Sequence, residues 1–130
     1  MKKVIFLLLL CIGFSCGKSD DGAPHSITLK RNNCFTKLEN GGRICLDSVF
    51  NDSRCPKELV CVWEGDALAA FTLTKNDQVS SFILHDNAKF PQDTIIEGIA
   101  IKLLKIAPYP IADKLIEPDD YRVEISVFED

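Results

Sequence analysis

The chain has 130 residues, 15 basic and 19 acidic side chains and a formal net charge of −4. That length supports one small domain. The acidic balance is the wrong sign for a phosphate backbone, which needs clustered Lys and Arg to displace counterions, so no nucleic acid partner is expected. In chain order, Lys2 and Lys3 come first, then an apolar run from Val4 to Phe14, then small Ser15 and Cys16. The run has the length of a signal-peptide core and falls short of the ~20 apolar residues that a spanning helix requires. Cleavage is expected between Ser15 and Cys16, which makes residues 1–15 a signal peptide.

These residues resemble the N-termini of bacterial lipoprotein precursors. The resemblance implies that Cys16 is the lipidation site, carrying a thioether-linked diacylglycerol and usually an amide-linked third chain. Gly13 stands where such precursors usually carry Leu. Cys11 is a poorer acceptor, because Leu8, Leu9 and Leu10 offer no small residue for cleavage. Each buried acyl CH₂ contributes ~0.8 kcal/mol, so the lipid alone would hold the chain on a membrane. Gly17 occupies the position where Asp commonly marks inner-membrane retention, which implies the outer membrane. Lys18-Ser19-Asp20-Asp21 looks like the acidic tag that sends some lipoproteins to the cell surface, and the alternative is a merely soluble linker facing the periplasm. Gly17 to Pro24 contains no large apolar residue, so residues 16–25 read as lipidated Cys and flexible tether, and 26–130 as a single domain.

Removing residues 1–15 leaves 13 basic against 19 acidic residues, a formal charge of −6. It also leaves Cys34, Cys45, Cys55 and Cys61 for an oxidising compartment, and an even number there implies two disulfides. Local geometry favours Cys34–Cys45 and Cys55–Cys61. The first pair flanks Glu39-Asn40-Gly41-Gly42, a hairpin turn signal; the second encloses a short loop that begins with Pro56. By the chain-entropy argument each closure contributes about 2–3 kcal/mol. Zinc is the rival reading, and none of the spacings matches the short gap of structural zinc pairs. No metal and no cofactor are expected.

Past the tether the hydrophobic period is two. Weak strands are expected over 27–35 and 43–50. Ala67, Ala69, Phe71 and Leu73 alternate with Leu68, Ala70, Thr72 and Thr74, turn at Lys75-Asn76-Asp77 and return from Val79 to Leu84 as a hairpin. A short strand over 94–96, one through Ile99, Ile101 and Leu103, and one through Tyr121, Val123, Ile125 and Val127 complete the set. Pro108-Tyr109-Pro110 and Pro118 mark a loop, within which 113–116 has room for one helical turn. The fold class is all-β: a small antiparallel β-sandwich of six to seven strands, with a small β-barrel as the alternative.

The most concentrated motif is Asp52-Ser53-Arg54-Cys55-Pro56, four residues, then Cys61-Val62-Trp63-Glu64-Gly65. It resembles a signature of small secreted bacterial proteins and lipoproteins of unassigned function, with a looser match around Tyr109-Pro110 and Asp120-Tyr121. Glu64 departs from that group, which often has Ala there. Read structurally, the bridge pins an irregular loop, Gly65 permits a bulge or a positive φ, Asp52 forms an Asx turn, Arg54 bridges to a carboxylate or to loop carbonyls, and Trp63 is buried beside the disulfide. Read functionally, the rigid loop presents Arg54, Trp63 and Glu64 to a partner, since Trp and Arg dominate interface energetics.

Catalytic machinery is sparse. His25 adjoins the tether, and His85 would need a distant nucleophile. Asp119-Asp120 reads as a solvated end, with cation binding the lesser alternative. No phosphate cradle, HExxH pattern or nucleophile elbow is present. The sequence therefore points to a non-catalytic binding or interaction module on a lipid anchor, with an envelope or extracellular protein or a glycan as partner. A secreted-protease inhibitor presenting stiff loops and a hydrolytic enzyme are the alternatives. Radioactive palmitate should label the chain in a form that Cys16→Ser abolishes, and label persisting in that variant would place the anchor elsewhere.

Overall fold

The computed structural model describes residues 24–129; the signal segment, Cys16 and the tether up to Ala23 lie outside the described residues. Eight strands follow one another: β1 (His25–Leu29), β2 (Cys34–Phe35), β3 (Arg43–Phe50), β4 (Leu68–Lys75), β5 (Gln78–His85), β6 (Asp93–Ile96), β7 (Ile99–Ala107) and β8 (Arg122–Glu129). They form two antiparallel four-stranded sheets, β1-β8-β7-β6 and β2-β3-β4-β5, and no closed barrel. This is the expected sandwich.

The alternation predicted from sequence is what fills the space between the sheets. Ala69, Phe71 and Leu73 of β4 and Ile44 and Leu46 of β3 face Ile99, Ile101 and Leu103 of β7 and Val123, Ile125 and Val127 of β8, all buried. Phe71 stacks on Phe82 with ring centroids 5.2 Å apart. Two bulges reset the period. At Asp47 the register slips, so that Val49 rather than Ser48 pairs with inward-facing Ala69. At Leu104 the slip leaves that side chain exposed and returns Ile106 to the core.

Two expectations change. The stretch 27–35 is two strands in different sheets, because the chain turns at 30–33, where Asn32 has φ 64° and donates its N–H to the Leu46 carbonyl at 2.8 Å. The count therefore becomes eight. Residues 113–116 do not form a helical turn; the turn lies at Pro118–Asp120, with proline at its start. Both disulfides are as expected. Cys34 and Cys45 are direct cross-strand partners, 4.0 Å apart between Cα atoms, and Cys55 bonds Cys61.

Register fixes the two ends of the sandwich. His25, at the start of β1, pairs with Val127 near the end of β8, so the chain enters the domain beside its C-terminus. The tight turns Asn76-Asp77 and Glu97-Gly98, all four residues at positive φ as two-residue hairpins require, lie at this same end. The long connections 51–67, 86–92 and 108–121 all lie at the other, about 25 Å away by the rise of an eight-residue strand. Phe71→Ala should lower stability by about 3–5 kcal/mol in urea unfolding, since its site is sealed between the sheets; a loss below about 1 kcal/mol would show that the core does not close on it.

Candidate functional site

The motif loop leaves β3 through Asn51, at φ 49°, and returns to β4 through a clasp. The Ser53 N–H donates to the Asp66 carbonyl at 2.7 Å, and the Asp66 N–H donates to Ser53 Oγ at 3.0 Å. Gly65 is required for this closeness, not for a positive φ or a bulge, because a Cβ there would collide with the Ser53 carbonyl.

Beneath the clasp lies Arg54, 6% exposed. Its Nε and Nη2 donate to the two carboxylate oxygens of Asp52, both at 2.8 Å, in the fork geometry that suits a guanidinium. Nη1 donates to the Ile106 carbonyl at 2.7 Å, and Nη2 also donates to the Pro108 carbonyl at 3.0 Å. The Tyr121 hydroxyl donates to Asp52 Oδ2 at 2.9 Å. One ion pair thus joins the exit of β3, the end of β7 and the entry to β8. Arg54 also lies 5.1 Å from the centroid of the Tyr109 ring, which Lys57 approaches at 5.3 Å.

Asp66 organises the neighbouring loop. Its Oδ1 accepts from the Ala67 and Asn87 backbone N–H groups, each at 2.9 Å, and its Oδ2 lies 2.6 Å from His85 Nδ1. The Asn87 side-chain amide donates to the Gly65 carbonyl at 3.1 Å. An open cleft of about 510 Å³ remains between the two loops. Trp63, Glu64, Asp86, Asn87 and Tyr109 line it beside the Cys55–Cys61 bridge, and Arg54 reaches it from the buried side.

Electrostatics follow this packing. Burial works to raise the Asp52 carboxyl, but hydrogen bonds from Arg54 and Tyr121, together with the Arg54 charge, outweigh it and hold that carboxyl below its ordinary range. Burial likewise opposes the Arg54 charge, and the bond to Asp52 with the carboxylates of Asp52 and Asp86 overcomes it, so its pKa is raised. Asp86 is pushed up, by burial first and then by the Asp66 and Asp52 carboxylates, against a lowering from Arg54. Burial and its bond to Asp52 push Tyr121 up to about 12.

The three binding candidates come together at this end but not in equal roles. Arg54 is a buried clamp that does bridge a carboxylate and loop carbonyls. Glu64 sits at the rim in an exposed ion pair with Lys89 at 2.6 Å. Trp63 corrects the structural expectation: it is 61% exposed, just past the seven-residue disulfide ring, while Arg54, Ala67 and Tyr121 are the buried residues at this end. Leu59, Val60 and Val62 are exposed with it. His85 ends β5, and among the described residues no hydroxyl or thiol hydrogen-bonds to its Nε2. Asp119 pairs with Arg31 at 2.8 Å, and the described residues contain no cluster of three or more His, Cys, Asp or Glu able to hold a metal.

Asp86, Asp66 and Asn87 were not singled out from the sequence. Tyr121 is named there as an alternating strand residue and Tyr109 as part of a proline-marked loop, neither as a partner of the motif. Protein-family models, curated proteins and solved structures yield no match to the chain.

A tyrosine whose folded pKa exceeds its unfolded value of 10.0 contributes stability that is complete below that pH and declines as pH rises toward about 12. Alkaline unfolding should therefore show a stability loss across that window that is absent in Tyr121→Phe, and identical profiles for the two proteins would refute the Asp52–Tyr121 bond.

Proposed function

We propose that this chain is a lipid-anchored, non-catalytic binding module of the cell envelope, oxidised outside the cytosol and held at the outer membrane through Cys16. Its partner, an envelope or extracellular protein or a glycan, is met by the end built from loops 51–67, 86–92 and 108–121. One observation carries this reading: Val60, inside the ring closed by Cys55–Cys61, and Val62 and Trp63, directly after it, stand exposed at the opposite end of the strands from the point where the chain enters at His25.

Large apolar side chains clustered in solvent mark interaction sites more often than they mark neutral surface. Their loop is fixed before any partner arrives, by the bridge at 55 and 61, the clasp at 53 and 66 and the clamp at 54. Ordering costs on binding are correspondingly small. An anchor attached at the far end directs this surface away from the bilayer.

A protease inhibitor is the second reading, favoured by the convergence of three stiff loops at one end. It is the narrower claim, because it requires one of those loops to occupy a protease cleft.

The test is a cross-linking pull-down from envelope extracts with the whole lipoprotein in detergent, run beside a Val62→Asp, Trp63→Ala variant. Both residues lie outside the core, so the variant should unfold normally and lose about tenfold or more of whatever the wild type captures. Equal capture by both proteins would remove this end of the molecule from the function. A protease panel run in parallel identifies inhibition if it occurs.

A further inference from the structure

The cleft beside the disulfide has a donor and an acceptor left over. A guanidinium carries five N–H groups. Four of those on Arg54 are engaged, by the two Asp52 oxygens and the Ile106 and Pro108 carbonyls. The fifth, on Nη1, faces Asp86 Oδ2 at 3.9 Å, beyond hydrogen-bonding range. Among the described residues, neither carboxylate oxygen of Asp86 accepts a hydrogen bond. A buried donor thus stands opposite an open acceptor across a gap that protein groups leave unfilled.

A hydroxyl completes that gap. An oxygen at ordinary hydrogen-bond distance, about 2.8 Å, from each group closes a triangle on the 3.9 Å base. It accepts from Arg54 and donates to Asp86. Ammonium groups have no acceptor to offer Arg54, and carboxylates or phosphates have no donor to offer Asp86. A charged ligand of either sign also meets one like charge at close range. The pair therefore favours a neutral group that both accepts and donates, as a hydroxyl does.

The cleft's aromatic wall narrows the choice. Trp63 is 61% exposed, and among the described residues no ring or cation packs on its indole. The Tyr109 ring is already engaged by Arg54 and Lys57. A free indole face beside a hydroxyl-binding pair matches a molecule with C–H groups on one face and hydroxyls along its edge, and burying that face removes apolar surface from water. At about 510 Å³ the cleft lies within the usual size of small-ligand sites.

We infer that this cleft is a saccharide subsite, taking a neutral sugar ring whose hydroxyl bridges Arg54 and Asp86 while its apolar face lies on Trp63. The inference rests on the binding-module reading and names its ligand class. The Glu64–Lys89 pair, exposed and weakly held, supplies further partners for ring hydroxyls at the rim.

Trp63 is the only tryptophan, so its fluorescence reports on the site alone. The whole chain, in a sugar-free detergent, is titrated with neutral gluco-, manno-, xylo- and galacto-oligosaccharides, with hexalysine and an oligogalacturonate as charged probes. At least one neutral oligosaccharide should give a saturable emission change. Asp86→Ala should weaken it about tenfold or more, and Asp86→Asn, which keeps an acceptor, by only a few-fold. Trp63→Leu, outside the core and followed by calorimetry, should abolish binding.

Silence with every neutral saccharide at millimolar concentration overturns the inference, as does tighter binding of either charged probe. Loss of saccharide binding with retained Trp63-dependent capture of an envelope protein would overturn the sugar assignment and leave the binding module standing. Failure of both assays would remove both.

Discussion

The bidentate pair between Arg54 and Asp52 is the interaction on which the long-loop end of this molecule depends. A buried guanidinium is costly unless all its surroundings are polar and correctly placed, and removing one partner of such a pair typically costs about 3–5 kcal/mol. Here Asp52, two carbonyls from the end of β7 and the Tyr121 hydroxyl supply those surroundings. Because the carbonyls and the hydroxyl lie in or next to strands of one sheet and Asp52 follows a strand of the other, the same bonds that satisfy the charge also lock the sheets together where their loops are longest. A lysine at position 54 would keep the charge and lose the fork, so the clamp needs arginine specifically.

The two disulfides divide the work between fold and site. Cys34–Cys45 joins residues already paired in a ladder and braces a two-residue strand that has little pairing of its own. Cys55–Cys61 closes a segment outside both sheets, where one backbone bond, Leu59 N–H to the Pro56 carbonyl at 3.0 Å, is the main internal tie. Packing does little to shape that segment, so the covalent link carries most of the constraint. The exposed apolar side chains on it are held in place without being buried.

What the sequence disclosed and what it concealed follow from how far each interaction reaches along the chain. Alternation over Tyr121 to Val127 and Ala67 to Leu73 is a local signal, and every inward residue it named is buried. The Asn76-Asp77 turn and the disulfide pairs are local in the same sense. The division of 27–35 was hidden because Ile27, Leu29 and Phe35 are compatible with one strand; only the bond from Asn32 to the Leu46 carbonyl shows the crossing. Trp63 departs from a sound rule, that a large aromatic beside a disulfide is buried; the buried aromatic at this end is Tyr121, 58 positions later in the chain and bonded to Asp52. Arg54 was read correctly in kind, but its partners at 106, 108 and 121 and the facing carboxylate of Asp86 are long-range contacts with no periodic trace.

The clasp between Ser53 and Asp66 closes the base of the motif loop where it leaves and rejoins the sheet. Leu59 and Val60 hang from points fixed by other residues, so exchanges there alter the chemistry offered to the outside while the sandwich is untouched. A scaffold arranged this way can drift in specificity under selection, and an engineer can diversify those positions as a small library without rebuilding the domain.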